Sequence, residues 1–479
     1  MSGIKKRDFM PETVHINNRD KILEILVSGC DERIFLSPET NANKYHLNLL
    51  NYKGLFNRGS CTCGTLTPFG IEVANNFLVQ FNSDIYQAVI DQQTTQLKEL
   101  FDNSQYGFEI FYGPSGSDLM YLPLIFQSLV HGKKEIINIV SCPEELGSGS
   151  NVAAEGLYFS EWNQFGKNIP KGKEVSRNIE SKVFYLPARE ETGHIANRGQ
   201  AIRKIIADHP GQPIIGNLVF GSKSGIKDDL EIIDEFHEGI MWVVDICQFR
   251  TDPLLIHSML DKGVMLMVTG SKFYQAPPFC GALLVPTSWA QKLINKDASI
   301  IRGFENLFSK YDFPCQFENI RKQLSNEINI GLRMRWEIAI QEMKAYLSFP
   351  SDQSNALIRR WNQIVTGRLA QSDYFKLMPN MELTNDSIVS FMVLVDGKEL
   401  RYFELKKLFD YLVLNEHYGL DGFNRIFIGQ PVQYGEKSFI RLAIGSYSVR
   451  LALKDNHFSP HNDLQLIHII ERSVDILFK

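Results

Sequence analysis

Residues 243–272 read VVDICQFRTDPLLIHSMLDKGVMLMVTGSK. The apolar runs at either end, within MWVVDI and GVMLMVTGS, have the length and composition of buried strands. Asp245 stands at the end of the first run, with Gln248 three residues on, and Lys272 follows the second run after Thr269, Gly270 and Ser271. From Gln248 to Lys272 is 272 − 248 = 24 residues, enough for one helix and one strand. Two parallel strands with a helical crossover are the expectation.

Working outward, the same alternation begins near residue 108. Strand-like FEIFYG precedes helical SDLMYLPLIFQSLVHG, and EIINIVSC and PIIGNLVFGS follow. The fold class this predicts is α/β, a mostly parallel central sheet with helices on both faces, its strands buried on both sides. Residues 316–348 carry apolar residues at helical spacing without proline, which predicts one long helix. Beyond Pro350 the pattern becomes strand (SIVSFMVLVDG), helix (ELRYFELKKLFDYLVLN), strand (SFIRLAIGS) and a helical tail, a smaller α+β C-terminal domain. The expected division is an N-terminal segment 1–75, a large domain 76–345 and a small domain 346–479, in keeping with a length of 479 residues. The loop FNRGSCTCGTLTPFG, residues 56–70, matches no regular element.

A net charge of −5, spread along the chain, gives no electrostatic case for nucleic acid. Neither a secretory leader nor a membrane span is legible. Seven scattered cysteines suit free thiols in the cytoplasm. Cys61 and Cys63 form a CxC pair with no second pair nearby to complete a metal site.

Three local patterns carry chemistry. In FYGPSGSDLMYL (111–122) a strand ends in Ser115-Gly116-Ser117 and a helical pattern begins. Small residues, helix N–H groups and hydroxyls together make an anion cradle. A carboxylate at the position of Asp245 is costly without a cation, and a pyridinium N–H is a suitable one. At the mouth of an apolar sheet, Lys272 loses hydration, which favours the neutral amine that attacks an aldehyde. Thr269 and Ser271 add hydroxyls for a phosphate.

In joint order these residues resemble the core of the class V aminotransferase and cysteine desulfurase superfamily, fold type I enzymes that use pyridoxal 5'-phosphate (PLP). The resemblance covers roughly residues 105–450. It implies that Lys272 forms the internal aldimine, Asp245 pairs with the pyridine nitrogen, Gln248 contacts the phenolic oxygen or the aldimine, and Ser115, Gly116 and Ser117 hold the phosphate. SFIRLAIGSYSVR is similar to the family's arginine strand, which implies Arg441 as the grip on a substrate carboxylate, with Arg450 as the alternative.

Departures are equally plain. Ser271 stands where a histidine usually precedes the lysine, and Ser222-Lys223-Ser224-Gly225 replaces an Asn-Glu-Thr-Gly turn, leaving Ser222 as the candidate contact to the cofactor oxygen. The segment PEELGSGSNVAAEGLYF offers no imidazole over the ring, so Gly147 or Ser148 faces it instead. No cysteine follows Cys315, which argues against classical desulfuration. An aminotransferase-like enzyme acting on an amino acid or related amine is the leading expectation. The alternatives are a PLP lyase or decarboxylase and a non-catalytic PLP-binding module. The family context also implies a homodimer with the site at its interface, and the loop Arg58–Thr65 as a contributor to the partner's site.

Overall fold

The computed structural model describes residues 12–61, 64–101, 107–147, 149–378 and 386–479. Its first strand, β1 (Leu55–Arg58), belongs to a smaller sheet. The next seven form one sheet: β2 (Phe108–Gly113), β3 (Ile136–Ser141), β4 (Ser181–Leu186), β5 (Ile214–Val219), β6 (Ile240–Asp245), β7 (Met265–Thr269) and β8 (Gly281–Pro286). Their order is β2-β8-β7-β6-β5-β3-β4. Only β8 runs against the others. Every residue of β3, β5, β7 and β8 is buried, which is why these strands are mostly apolar.

The crossover from β6 to β7 is the helix Pro253–Asp261. Proline opens it, and the Asp252 side chain accepts the Leu254 N–H at its start. This short link sets β6 beside β7, with Asp245 opposite Met267.

The long helix expected over 316–348 is divided into a turn at Glu318–Arg321 and a helix at Ile330–Leu347. Asn329 makes the break. Its Oδ1 caps the Leu332 N–H at 2.8 Å, while its Nδ2 donates to Gly29 O and Gln164 Oε1 at 2.8 and 2.7 Å. Tertiary bonds thus recruit as an N-cap a residue that the apolar spacing placed inside the helix.

The smaller sheet contains β9 (Phe375–Leu377), β10 (Ile388–Val395), β11 (Lys398–Glu399), β12 (Arg425–Tyr434) and β13 (Lys437–Ala443). The path is β1-β12-β13-β10-β11, with β9 also on β10. Strand β1 comes largely from the loop that matched no element and lies parallel to β12, so residues 55–58 supply a strand to a sheet otherwise built from residues 375–443. A buried ion pair fastens it there: Arg58 Nε and Nη2 meet Asp463 Oδ1 and Oδ2 at 2.6 and 2.8 Å, and Trp361 Nε1 also donates to Oδ1. Among the described residues no helix is long and apolar enough to cross a membrane.

Candidate active site

The carboxyl ends of β2, β3, β5, β6 and β7 open into one cavity of about 440 Å³, where ligands bind in open α/β sheets. Ser115, Gly116 and Ser117 enter it after β2, and Ser222 after β5. Asp245 and Gln248 come from the end of β6, Thr269, Ser271 and Lys272 from the end of β7, and Arg441 reaches in from β13. Arg450 is not part of the wall, because its guanidinium is paired with buried Glu342.

At the cradle, Ser115 donates from Oγ and N–H to Asp118 Oδ2 at 2.6 and 2.9 Å. A 3₁₀ turn, Asp118–Met120, leads into the helix Tyr121–His131. A Cβ on Gly116 would lie 3.2 Å from Cys247 Sγ, so the absence of a side chain keeps the loop against the β6 end. Arg33 is the component that sequence reading missed. Its Nη2 donates to Ser115 Oγ at 3.0 Å and its Nη1 to Ser117 Oγ at 3.5 Å. Asp31 grips the same guanidinium at 2.7 and 2.6 Å, and the Phe159 and Phe279 rings lie 5.1 and 4.8 Å from it. No local motif marks Arg33; the fold alone brings it to the loop. Burial, and then the charge of Asp31, pushes the Asp118 carboxyl up to about 7.

Asp245 accepts the Cys247 N–H at 2.7 Å. Burial raises its pKa, against the Cys247 hydrogen bonds and the charges of Lys272 and Lys223. Burial and then Asp245 hold the Cys247 thiol well above its usual range, so it is no ready nucleophile. Gln248 donates from Nε2 to Cys61 O at 3.0 Å, and its Oε1 is buried with no partner. Lys272 rides a tight turn between β7 and β8, closed by Gln275 N–H to Lys272 O at 3.1 Å and Ala276 N–H to Gly270 O at 3.2 Å. A Cβ on Gly270 would come within 2.4 Å of Ala339, so glycine lets the helix Ile330–Leu347 press against this turn. Thr269 Oγ1 donates to Cys247 O at 3.1 Å and lies 3.2 Å from Ser271 Oγ.

From the segment after β3, Glu145, Leu146, Gly147 and Ser150 line the cavity, while Ser148 lies outside the described residues. Glu145 is buried and accepts from the Ser222 and Ser224 hydroxyls and from the Ser224 N–H at 2.8 Å. The Ser222 proton is therefore directed to Glu145. Lys223 had been passed over within the Ser222–Gly225 turn. Its Nζ lines the wall and donates to Glu144 O at 3.3 Å; burial, and then Arg441, pushes its amine down to about 8. In the loop Arg58–Thr65, Arg58 is committed to Asp463 and Cys61 lines this chain's own cavity; Thr62 and Cys63 lie outside the described residues.

Known structures share this architecture. A phosphoserine aminotransferase of Cytophaga hutchinsonii superposes with a TM-score of 0.52 at 16% identity, over 85% of this chain and 99% of its own. The cysteine desulfurase CsdA of Escherichia coli gives 0.56 at 12%, over 89% and 95%. The tryptophan decarboxylase of Catharanthus roseus gives 0.55 at 15%, over 99% and 91%. This is the type I fold of PLP-dependent enzymes. No protein-family model matches the chain, and no curated protein matches it in sequence.

The cavity of this type I fold suits PLP on its own chemistry. Arg33 and Ser117 present a fixed cation and a hydroxyl to a phosphate, with Ser115 held beside them by Asp118 and Arg33. Asp245 is a half-buried carboxylate whose desolvation favours a cationic neighbour. Gln248 Oε1 is buried without a donor, and Gln248 and Lys272 line the same cavity.

Proposed function

We propose that this chain is a PLP-dependent enzyme acting on an amino acid or related amine, with amino-group transfer as its leading reaction. The observation that carries this reading is the convergence of a phosphate cradle, a half-buried carboxylate, a lysine and a buried arginine on one cavity of about 440 Å³. Ser115, Ser117 and Arg33 would hold the phosphate, Asp245 the pyridine nitrogen, and Lys272 the aldehyde carbon. When bound, PLP supplies an electron sink for charge developing at the substrate Cα.

The remaining work falls to this chain's own groups. Arg441 is buried and donates to Gln430 O from Nε and Nη2 at 3.2 and 2.7 Å, and to Lys223 O from Nη1 at 3.0 Å. A guanidinium has five N–H groups, so 5 − 3 = 2 are left, one on each terminal nitrogen, for a substrate carboxylate. Lys272 Nζ would be the base that moves the proton at the substrate Cα. Leu146 and Gly147 form part of the cavity wall.

A lyase or decarboxylase is the second reading, favoured by the lack of an imidazole on the segment Pro143–Ser150. A homodimer is the assembly either reading implies.

The test is the visible spectrum of the purified protein with PLP, then borohydride reduction and peptide mapping. The expected label is on Lys272. A colourless protein, or a label on another lysine, overturns the reading. Single-turnover assays separate the reactions: transfer leaves the pyridoxamine form and a keto acid, whereas a lyase or decarboxylase releases ammonia, carbon dioxide or a side-chain fragment.

A further inference from the structure

Two cations in the cavity wall have no acid within ion-pair distance among the described residues. Arg441 is buried and bonds only to carbonyls. Lys223 makes a single side-chain hydrogen bond, to Glu144 O at 3.3 Å. They meet at one turn, since Arg441 Nη1 donates from β13 to the Lys223 carbonyl. Other cations of the same wall are neutralised: Arg33 by Asp31, and Lys406 by Asp410.

The two acids that line the cavity are already engaged. Glu145 is occupied by Ser222 and Ser224, and Asp245 faces the place assigned to the ring nitrogen. One α-carboxylate on Arg441 leaves Lys223 without a counter-charge. A half-buried ammonium with no counter-charge is unfavourable, and the downward pull on its amine by burial and by Arg441 reflects that cost.

We propose that Lys223 receives a second anionic group, so that the substrates are amino acids bearing a side-chain carboxylate or phosphate in addition to the carboxylate on Arg441. Lys223 is then a specificity residue, and Glu145 a positioning residue that fixes its turn through Ser222 and Ser224. This deepens the proposed function and rests on it.

The experiment is a spectral titration of the PLP-loaded enzyme with matched pairs: aspartate against asparagine, glutamate against glutamine, phosphoserine against serine. In at least one pair the anionic member should bind about ten- to a hundredfold more tightly, the range of a hydrogen bond to a charged group. Which pair responds distinguishes carboxylate from phosphate. Lys223→Met should erase the preference while α-carboxylates are still favoured over their amides, and Lys223→Arg should restore part of it. Equal affinities within every pair in the wild type overturn the inference, as does a preference that survives Lys223→Met. The wild-type comparison decides the matter even if the variants misfold. A protein that takes up no PLP fails at the earlier step, whereas one that takes it up and ignores side-chain charge refutes only the role of Lys223.

Discussion

Arg33 and Ser115 are 82 positions apart in sequence, and the guanidinium of one donates to the hydroxyl of the other at 3.0 Å. The contact makes the N-terminal segment part of the anion cradle that the strand-to-helix turn alone appeared to form. Since Asp31 and two aromatic rings already orient Arg33, little side-chain entropy is lost when a phosphate arrives.

Arg33→Ala should weaken PLP at least about tenfold while hardly affecting pyridoxal, which has no phosphate. Arg33→Lys should recover only part of the loss, because an ammonium cannot span both hydroxyls as a fork does. Fluorescence titration of the cofactor-free protein measures both ligands. Parallel losses for the two would reduce Arg33 to a structural residue.

Asp245→Asn keeps the shape of the site and removes the charge that protonates the ring nitrogen. PLP should still bind, but turnover should fall by about a hundredfold or more. Unchanged turnover at full PLP occupancy would contradict the assigned role.

Asp118 gives a pH signature. Its folded carboxyl titrates at about 7, against an ordinary value of 3.8. A raised folded value means that protonation favours the fold: this contribution is complete below 3.8 and lost as pH rises through about 7. Asp118→Asn should therefore stabilise the PLP-free protein above about pH 7, with the advantage shrinking towards pH 4. Melting curves across that range supply the check; a constant difference would assign the effect to something other than ionisation.

Arg58→Met strands the Asp463 carboxylate in the core. A loss of about 3 kcal/mol or more in urea unfolding is expected, typical of breaking one side of a buried pair. Replacing Asp463 by Leu in the same protein should restore part of it, because two apolar groups leave no orphaned charge.

Much of the larger sheet was legible in sequence because burial on both faces makes β3, β5, β6 and β7 nearly all apolar. Ser115, Asp245 and Lys272 were legible for a related reason: each lies just beyond such a run, at the end where a parallel sheet presents its loops. What escaped depends on long-range packing. Arg33 has no local pattern, and Lys223 was hidden beside a serine that looked like the chemical choice. The break at Asn329 is set by bonds to Gly29 and Gln164, which helical spacing cannot register. Strand β1, four residues among glycines and cysteines, becomes a strand only because β12 lies alongside it.

That pairing has a consequence for biosynthesis. Leu55 and Arg425 are register partners, 425 − 55 = 370 residues apart, so β1 must wait through most of translation for its neighbour. Gln430 and Arg441 emerge in the same late stretch. The seven-stranded sheet can assemble on the ribosome, but the grip on a substrate carboxylate can form only after nearly all of the chain has left it. A circular permutant that joins β1 directly to β12 would remove that delay, and its rate of refolding is where the effect would be seen.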